Sequence, residues 1–151
     1  MVEVMAHIEV STDIDRPLRE VWDEVSTLEN HAGWMADVES IVFEGDQTSG
    51  VGTVMNVATR VGPFTTMDVI VVEQWNAEHS IVVTHRGLVS GNGAFLLEPH
   101  GAGTRFTWKE NLTFPWYLGG PVTAVLAKPV LARIWRSNLR RFAAILEEPA
   151  E

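Results

Sequence analysis

Glu110 and His85 are the two residues whose surroundings favour proton-transfer chemistry. Glu110 lies in a segment in which Phe106, Trp108 and Leu112 occupy alternate positions, so its carboxylate is expected on the apolar face of a strand. Burial among apolar side chains disfavours the charged form of a carboxyl group. Such an acid could exchange a proton with a carbonyl compound near neutral pH. The alternative is a structural carboxylate near the sheet edge that pairs with a cation such as Arg86.

His85 is expected to point towards the same apolar face. It alternates with Ile81 and Val83, which indicates that its imidazole faces inward while Arg86 faces outward. An inward histidine beside Glu110 would form an acid–base pair, whereas a lone histidine on an apolar face is more often a core residue. By the same alternation, Asp68 is predicted to face outward.

Large and adaptable apolar side chains form the candidate walls of a small-molecule site. Tryptophan and methionine suit irregular flat or greasy ligands, although the same residues also serve as ordinary core. The candidate ligand-binding residues are Trp34, Met35, Met55, Met67, Phe106, Trp108, Leu126 and Trp135.

Other chemistries find little support. The chain has no cysteine, which excludes disulfides, thiolate catalysis and zinc–thiolate sites. No nucleophile elbow is present, and Gly91-Asn92-Gly93 is interpreted as a hairpin turn and not a dinucleotide fingerprint. The five histidines are dispersed without the helical spacing of a metal site. We therefore expect neither a metal nor a cofactor.

Length and charge restrict the class of protein. The 151 residues fit a single domain, and the formal net charge of −9 argues against a nucleic-acid partner. The first ten residues lack a secretory signal and no stretch is long enough to span a membrane, so a cytoplasmic protein without stable membrane insertion is expected. Arginines at positions 133, 136, 140 and 141 are predicted to form a solvated helix face.

The order of hydrophobic patterns predicts the architecture. An opening strand, Glu3–Ser11, precedes a helix that Asp13 or Asp15 could cap and Pro17 could start, followed by a helical turn at Glu29–Trp34. Short turns then separate strands, which indicates antiparallel pairing. The predicted strands are Val38–Glu44, Gly52–Val61, Phe64–Trp75, Ser80–Ser90, Gly93–Glu98 and Thr104–Phe114.

A long amphipathic helix is predicted from about Pro121 to Leu146. Its apolar stripe includes Trp135 and Phe142, together with the polar Asn138. Pro129 lies inside the pattern and is expected to kink or break the helix.

These elements in this order resemble the START-like, helix-grip superfamily, in particular its polyketide cyclase/dehydrase and lipid-transport branch. The resemblance covers Glu3 to Glu147 and is carried by Ile14-Asp15-Arg16-Pro17, Val21-Trp22, Trp34, Gly50-Val51-Gly52-Thr53, Gly103-Thr104-Arg105-Phe106 and Lys128-Pro129. It implies an α+β fold in which about seven antiparallel strands curve around the C-terminal helix, with two short helices after the first strand. It also implies a cavity between the helix and the sheet, and no universal catalytic residue accompanies it.

Three functions are open at this point. The first is a carrier or sensor that binds a small hydrophobic molecule such as a lipid, polyketide or isoprenoid. The second is a polyketide cyclase, aromatase or dehydratase in which Glu110 or His85 transfers protons. The third is a regulatory or toxin-like interaction module that uses the arginines from Arg133 to Arg141.

Overall fold

The computed structural model describes residues 4–114 and 120–148. The strands are β1 (Val4–Ile14), β2 (Val38–Phe43), β3 (Val54–Val61), β4 (Phe64–Asn76), β5 (Ser80–Arg86), β6 (Ser90–His100) and β7 (Gly103–Phe114). The helices are α1 (Leu18–Val25), a 3-10 helix (Leu28–Gly33) and α2 (Gly120–Glu147). The expected helix-grip architecture is confirmed, since seven strands form one curved antiparallel sheet beneath a long C-terminal helix.

The sheet order is β1-β7-β6-β5-β4-β3-β2, which makes β7 an interior strand next to the edge strand β1. Side chains at alternate positions of β7, from Thr104 to Phe114, are all buried, whereas those between them are partly exposed. The buried set defines the concave face, which α1 and α2 cover. Because successive side chains of a strand point to opposite faces, this alternation assigns every β7 residue to one side of the sheet.

Helix α2 packs on the concave face through aromatic side chains. The Phe142 ring centroid lies 5.0 Å from that of Trp34 and 5.2 Å from that of Phe106, both edge to face. The end of α2 is tied to the end of β1, because Arg16 Nε donates a hydrogen bond to the Leu146 carbonyl oxygen at 2.9 Å. The helix is thus fixed at its C-terminal end and in its middle.

The first helix begins differently from the prediction. Strand β1 continues to Ile14, so Asp13 is a strand residue whose carboxylate accepts a hydrogen bond from Arg105 Nε at 2.9 Å. Pro17 is the N-cap residue of α1, and no side chain caps the helix. The prediction that Asp13 or Asp15 caps this helix was wrong because β7 supplies a charged partner that keeps Asp13 in the sheet.

Two further boundaries differ from expectation. The turn between β5 and β6 lies at residues 87–89, so Gly91 and Asn92 are strand residues and not a turn. Helix α2 runs unbroken through Pro129, which corrects the expected break. Proline removes only its own N–H donor from the helix ladder, and a helix held by tertiary packing tolerates that loss.

None of the helices in the part of the chain that the structure describes has the length and hydropathy that crossing a bilayer requires.

Candidate functional site

The structure brings His85 and Glu110 into direct contact. His85 Nε2 lies 2.8 Å from Glu110 Oε2, and Trp108 Nε1 donates a hydrogen bond to Glu110 Oε1 at 2.9 Å. Glu110 is 5% exposed. Each of its two carboxylate oxygens therefore has a hydrogen-bond partner in a buried environment. An ion pair in this environment is screened weakly and is held in one geometry.

His85 and Glu110 lie on strands that are not neighbours. They can meet because the strand between them, β6, has glycines at the facing positions. His85 is on β5 and Glu110 is on β7, so their backbones are about 9.5 Å apart given the usual strand spacing. On β6, Gly91 lies opposite His85 and Gly93 lies opposite Glu110. A β-carbon at Gly93 would overlap the Glu110 carboxylate. A β-carbon at Gly91 would overlap the β7 backbone at Asn111. Gly93 leaves the space that the Glu110 carboxylate occupies, and we call Gly91 and Gly93 together the glycine gap.

Asp68 is a third ionisable residue of this site, and the sequence prediction for it was wrong. It lies on the concave side of β4, and one of its carboxylate oxygens, Oδ1, is buried without a hydrogen-bond partner. Burial raises the pKa of Asp68, although the charge of His85 and a hydrogen bond from Thr66 act in the opposite direction. An unsatisfied buried oxygen is costly. This oxygen packs against Gly87, where a β-carbon would overlap it.

The electrostatic surroundings favour the charged form of His85. Burial lowers the pKa of His85, but the hydrogen bond that His85 donates to Glu110 and the negative charges of Glu110 and Asp68 outweigh it, so the pKa is raised overall. With a pKa above its ordinary value of 6.5, the imidazole carries a larger fraction of positive charge at neutral pH. The site therefore combines one imidazolium with two carboxyl groups.

Most of the predicted wall residues lie in the covered core. Trp34, Met35, Met55, Phe106, Trp108 and Trp135 are each less than a tenth exposed. The four aromatic members contact other rings, and the rings of Trp108 and Trp135 stack at a centroid distance of 4.8 Å. Trp108 links this cluster to the ion pair, because its indole N–H is bonded to Glu110.

Two predicted wall residues lie elsewhere. Met67 is 63% exposed, because Asp68 occupies the concave side of β4 and Met67 therefore falls on the convex side with Val69 and Val71. We therefore exclude Met67 from the candidate site. Leu126 is 64% exposed on α2 and makes no part of the buried core.

A second polar cluster joins α2 to the segment before β2. Asn138 Nδ2 donates to Asp37 Oδ1 at 2.8 Å, and Trp135 Nε1 donates to Asp37 Oδ2 at 3.3 Å. Asn138 also accepts a hydrogen bond from the Ala36 N–H at 3.0 Å. These buried groups are satisfied by one another, which indicates a structural role. The polar Asn138 within an apolar helix stripe was the sequence signal for this cluster, but its partner could not be predicted.

Apolar side chains of the concave face keep part of their surface accessible. Ile70 lies opposite His85 and Val83 lies two residues before it, while Ile41 and Phe43 lie on β2, three strands from β5. All four pack against the core, yet they are only partly buried. The helices therefore leave part of the concave face uncovered beside His85. A separate open depression of about 350 Å³ lies between α1, the 3-10 helix and α2, away from the pair. Within residues 4–114 and 120–148, no three metal-ligating side chains converge.

The pairing predicts a diagnostic histidine titration. In the intact protein, the His85 midpoint should lie above 6.5, and Glu110→Gln should bring it below 6.5, because burial then dominates. A raised pKa means that this histidine stabilises the fold below pH 6.5, and that its contribution is lost as pH rises through the folded-state pKa. Two-dimensional NMR of the imidazole resonances measures both midpoints.

Gly93→Ala is the matched variant for this titration, since it keeps Glu110 but places a β-carbon in the space that the carboxylate occupies. It should shift the His85 midpoint in the same direction as Glu110→Gln. Gly33→Ala is the control, because a β-carbon at Gly33 has open space. A His85 midpoint that neither Glu110→Gln nor Gly93→Ala alters would contradict the described contact.

Structural comparison identifies the same fold in several solved proteins. TTHA0849 from Thermus thermophilus is 17% identical, with a TM-score of 0.81 over 93% of this chain and 96% of that one. The Zhui aromatase/cyclase from Streptomyces is 16% identical, with a TM-score of 0.74 over 95% and 94% of the two chains. Truncated norcoclaurine synthase from Thalictrum flavum is 15% identical, with a TM-score of 0.74 over 99% and 98%. At sequence identities of 15–17%, the structural likeness shows that these proteins share a fold with this chain.

Sequence comparison gives the family. No curated protein sequence matches the chain. The family model described as polyketide cyclase / dehydrase and lipid transport matches residues 5–147, which is nearly the whole chain and includes His85, Glu110 and the glycine gap. The chain therefore belongs to the polyketide cyclase/dehydrase and lipid transport family.

Proposed function

We propose that the protein binds a small, largely apolar molecule between the sheet and α2 and acts as a carrier or sensor. The observation that carries this proposal is the position of the His85–Glu110 ion pair, which lies on a concave face whose apolar side chains remain partly accessible. Apolar burial would supply most of the binding free energy, at about 25 cal/mol per Å² before ordering costs. The ion pair would orient the ligand.

The polar atoms of the site favour a hydroxyl or carbonyl group over an anion. His85 uses Nε2 to bind Glu110, which leaves Nδ1 as the nitrogen that can contact a ligand. Asp68 Oδ1 is a buried acceptor without a partner. Two carboxyl groups beside one imidazolium would repel a carboxylate or phosphate in a weakly screening environment. The ligand class that fits is a neutral aromatic or polyketide-like molecule with hydroxyl or carbonyl substituents.

Isothermal titration with 1-naphthol and 1-naphthoate tests this preference, because the two probes share a ring system and differ in charge. Naphthol should bind at least about tenfold more tightly, which corresponds to about 1.4 kcal/mol. Glu110→Gln should weaken naphthol binding and reduce the discrimination, whereas Val51→Ser, a change at an exposed site remote from the pair, should alter neither. Equal or tighter binding of naphthoate by the unmodified protein would refute the preference.

The family supports a hydrophobic ligand. Its description names polyketide cyclisation, dehydration and lipid transport. Among proteins of the same fold, three are described as aromatase/cyclases. Two of these are di-domain proteins, and this chain matches about half the length of each. These likenesses support an apolar, carbonyl-bearing ligand class and leave its identity to experiment.

A second candidate function is acid–base catalysis on a carbonyl compound, and the 2.8 Å contact between His85 and Glu110 favours it. His85 as imidazolium would donate a proton towards a carbonyl oxygen, while Asp68 or Glu110 would accept one from the adjacent carbon. The proton lost by carbon and the proton gained by oxygen balance, so the step is an enolisation without any further reactant.

Deuterium exchange at the α-carbon of 2-tetralone tests this second function. If the pair is catalytic, the protein should accelerate exchange by about 10²–10⁴-fold over buffer, the usual contribution of a positioned acid or base. His85→Gln and Glu110→Gln should each remove the acceleration, while Val51→Ser retains it. Exchange at the buffer rate in the presence of the unmodified protein, together with saturable naphthol binding, would leave the carrier function and exclude this reaction.

A further inference from the structure

The large apolar side chains that remain exposed are concentrated at one end of the molecule. The turn from β3 to β4 lies at this end, because Val61 pairs with Phe64. The turn from β5 to β6 lies at the same end, because His85 pairs with Gly91. The last turn of α2 is bonded to Arg16 at the opposite end of the molecule. Because a helix of 28 residues is about 42 Å long, α2 begins near the end that carries the two turns. The exposed fractions are 74% for Phe64, 44% for Leu88, 71% for Val125, 64% for Leu126 and 48% for Val130. These five residues are the apolar rim.

Charges are distributed unequally between the two ends. Arg86 and Lys128 are exposed cations within two or three residues of rim side chains. The turns and strand ends at the opposite end carry an excess of carboxylates, which are Asp13, Glu44, Asp46, Glu78, Glu98 and Glu147. The cations Arg16 and Arg105 also lie at that end, where Arg105 pairs with Asp13 and Arg16 binds the end of α2. The rim end therefore carries exposed cations, whereas these carboxylates outnumber the cations at the opposite, acidic end.

We propose that the apolar rim docks on the surface of an anionic lipid bilayer. Exposed apolar side chains that gather at one end of a molecule indicate an interaction surface, and large apolar residues flanked by cations suit the boundary between headgroups and acyl chains. Phe64 and Leu88 lie at the tips of two hairpin turns, where they can enter that boundary without moving the sheet. Arg86 and Lys128 would then lie at the headgroup level, where each contact with anionic lipid is favourable.

Charge complementarity selects this occupant over a second copy of the chain. A symmetric dimer formed through the rim would place Arg86 and Lys128 of one copy near the same cations of the other, because the same surface meets itself. An anionic bilayer neutralises these cations and leaves the acidic end in water. This inference stands on the exterior of the protein and does not require the proposed ligand function.

Flotation of the whole protein with vesicles tests the docking. We expect binding to vesicles of three parts phosphatidylcholine to one part phosphatidylglycerol, and weaker binding to phosphatidylcholine alone or at high salt. The double variant Phe64→Ser/Leu88→Ser should lower partitioning about tenfold or more, since two apolar side chains no longer insert. Val51→Ser is the matched control, because Val51 is 60% exposed near the acidic end. Its partitioning should equal that of the unmodified protein.

Three results would overturn the inference. One is an unmodified protein that fails to float with either vesicle. Another is an equal loss for Val51→Ser and the double variant. The third is concentration-dependent dimerisation in sedimentation velocity that Phe64→Ser/Leu88→Ser abolishes, since the rim would then belong to a second copy. Equal thermal unfolding of the variants shows that any loss comes from the surface and not from misfolding.

Discussion

Phe142→Ala is expected to lower the free energy of unfolding by about 3–5 kcal/mol, the usual cost of removing a buried phenyl ring. Phe142 is fully buried, and its ring packs between those of Trp34 and Phe106 at centroid distances of 5.0 and 5.2 Å. Truncation would leave a cavity between α2 and the concave face. Urea unfolding followed by far-ultraviolet circular dichroism measures the loss.

Ile145→Ala is the control on the same helix. Ile145 is 47% exposed, so its truncation removes fewer contacts and should cost less than about 1 kcal/mol. Comparable losses in the two variants would mean that Phe142 does not hold α2 on the sheet as described. The packing of α2 matters for function because the same helix covers the concave face that contains the ion pair.

Acidification is expected to destabilise the protein through His31, by roughly 3 kcal/mol between pH 6.5 and pH 4. Burial lowers the pKa of His31 to about 4, despite a hydrogen bond to the Val25 carbonyl oxygen and the charge of Glu29. The unfolded state, with a pKa of 6.5, binds the proton first, so the contribution is present above pH 6.5 and is lost as pH falls through this range.

The difference between the unmodified protein and His31→Gln isolates this contribution. Glutamine can still donate to the Val25 carbonyl oxygen, which accepts from His31 Nε2 at 2.7 Å, but it does not titrate. Urea unfolding at pH 7, 5.5 and 4 should show a shallower pH dependence for His31→Gln, and an unchanged one for His79→Gln at an exposed position. Parallel curves for the unmodified protein and His31→Gln would disprove the assignment.

The strand pattern could be predicted where turn residues and alternation agreed. The prediction for β3 was within two residues at its start, and those for β4 and β7 were within one residue at each end. In these segments glycine, proline or asparagine stands at the turns, and β7 buries every second residue. The family resemblance then supplied the curvature of the sheet around the C-terminal helix.

The faces of β4 and the start of β6 could not be predicted from local pattern. Strand β4 carries apolar residues on both faces, so alternation around Asp68 did not distinguish concave from convex. Gly91 and Gly93 resemble turn residues in sequence, but they lie within β6 because neighbouring atoms of β7 occupy the space of a side chain. Only the pairing of β6 with β7 reveals this.

The inward orientation of His85 and Glu110 followed from alternation, but their contact did not. The two residues are separated by a whole strand, and the contact depends on the glycine gap in that strand. The presence of Asp68 in the site could not be predicted either, because its distance from His85 is set by the register of β4 on β5. Long-range register, and not residue type, thus determined which acids meet the imidazole.

The most direct test of the account is an intermolecular nuclear Overhauser experiment with 1-naphthol and protein labelled at isoleucine and valine methyl groups. We predict contacts from the naphthol ring to the methyls of Ile70 and Val83, together with a shift of the His85 imidazole resonances. Those residues surround the ion pair on the concave face. Contacts confined to convex-face methyls such as those of Val42 and Val69, with His85 unshifted, would contradict the proposed site.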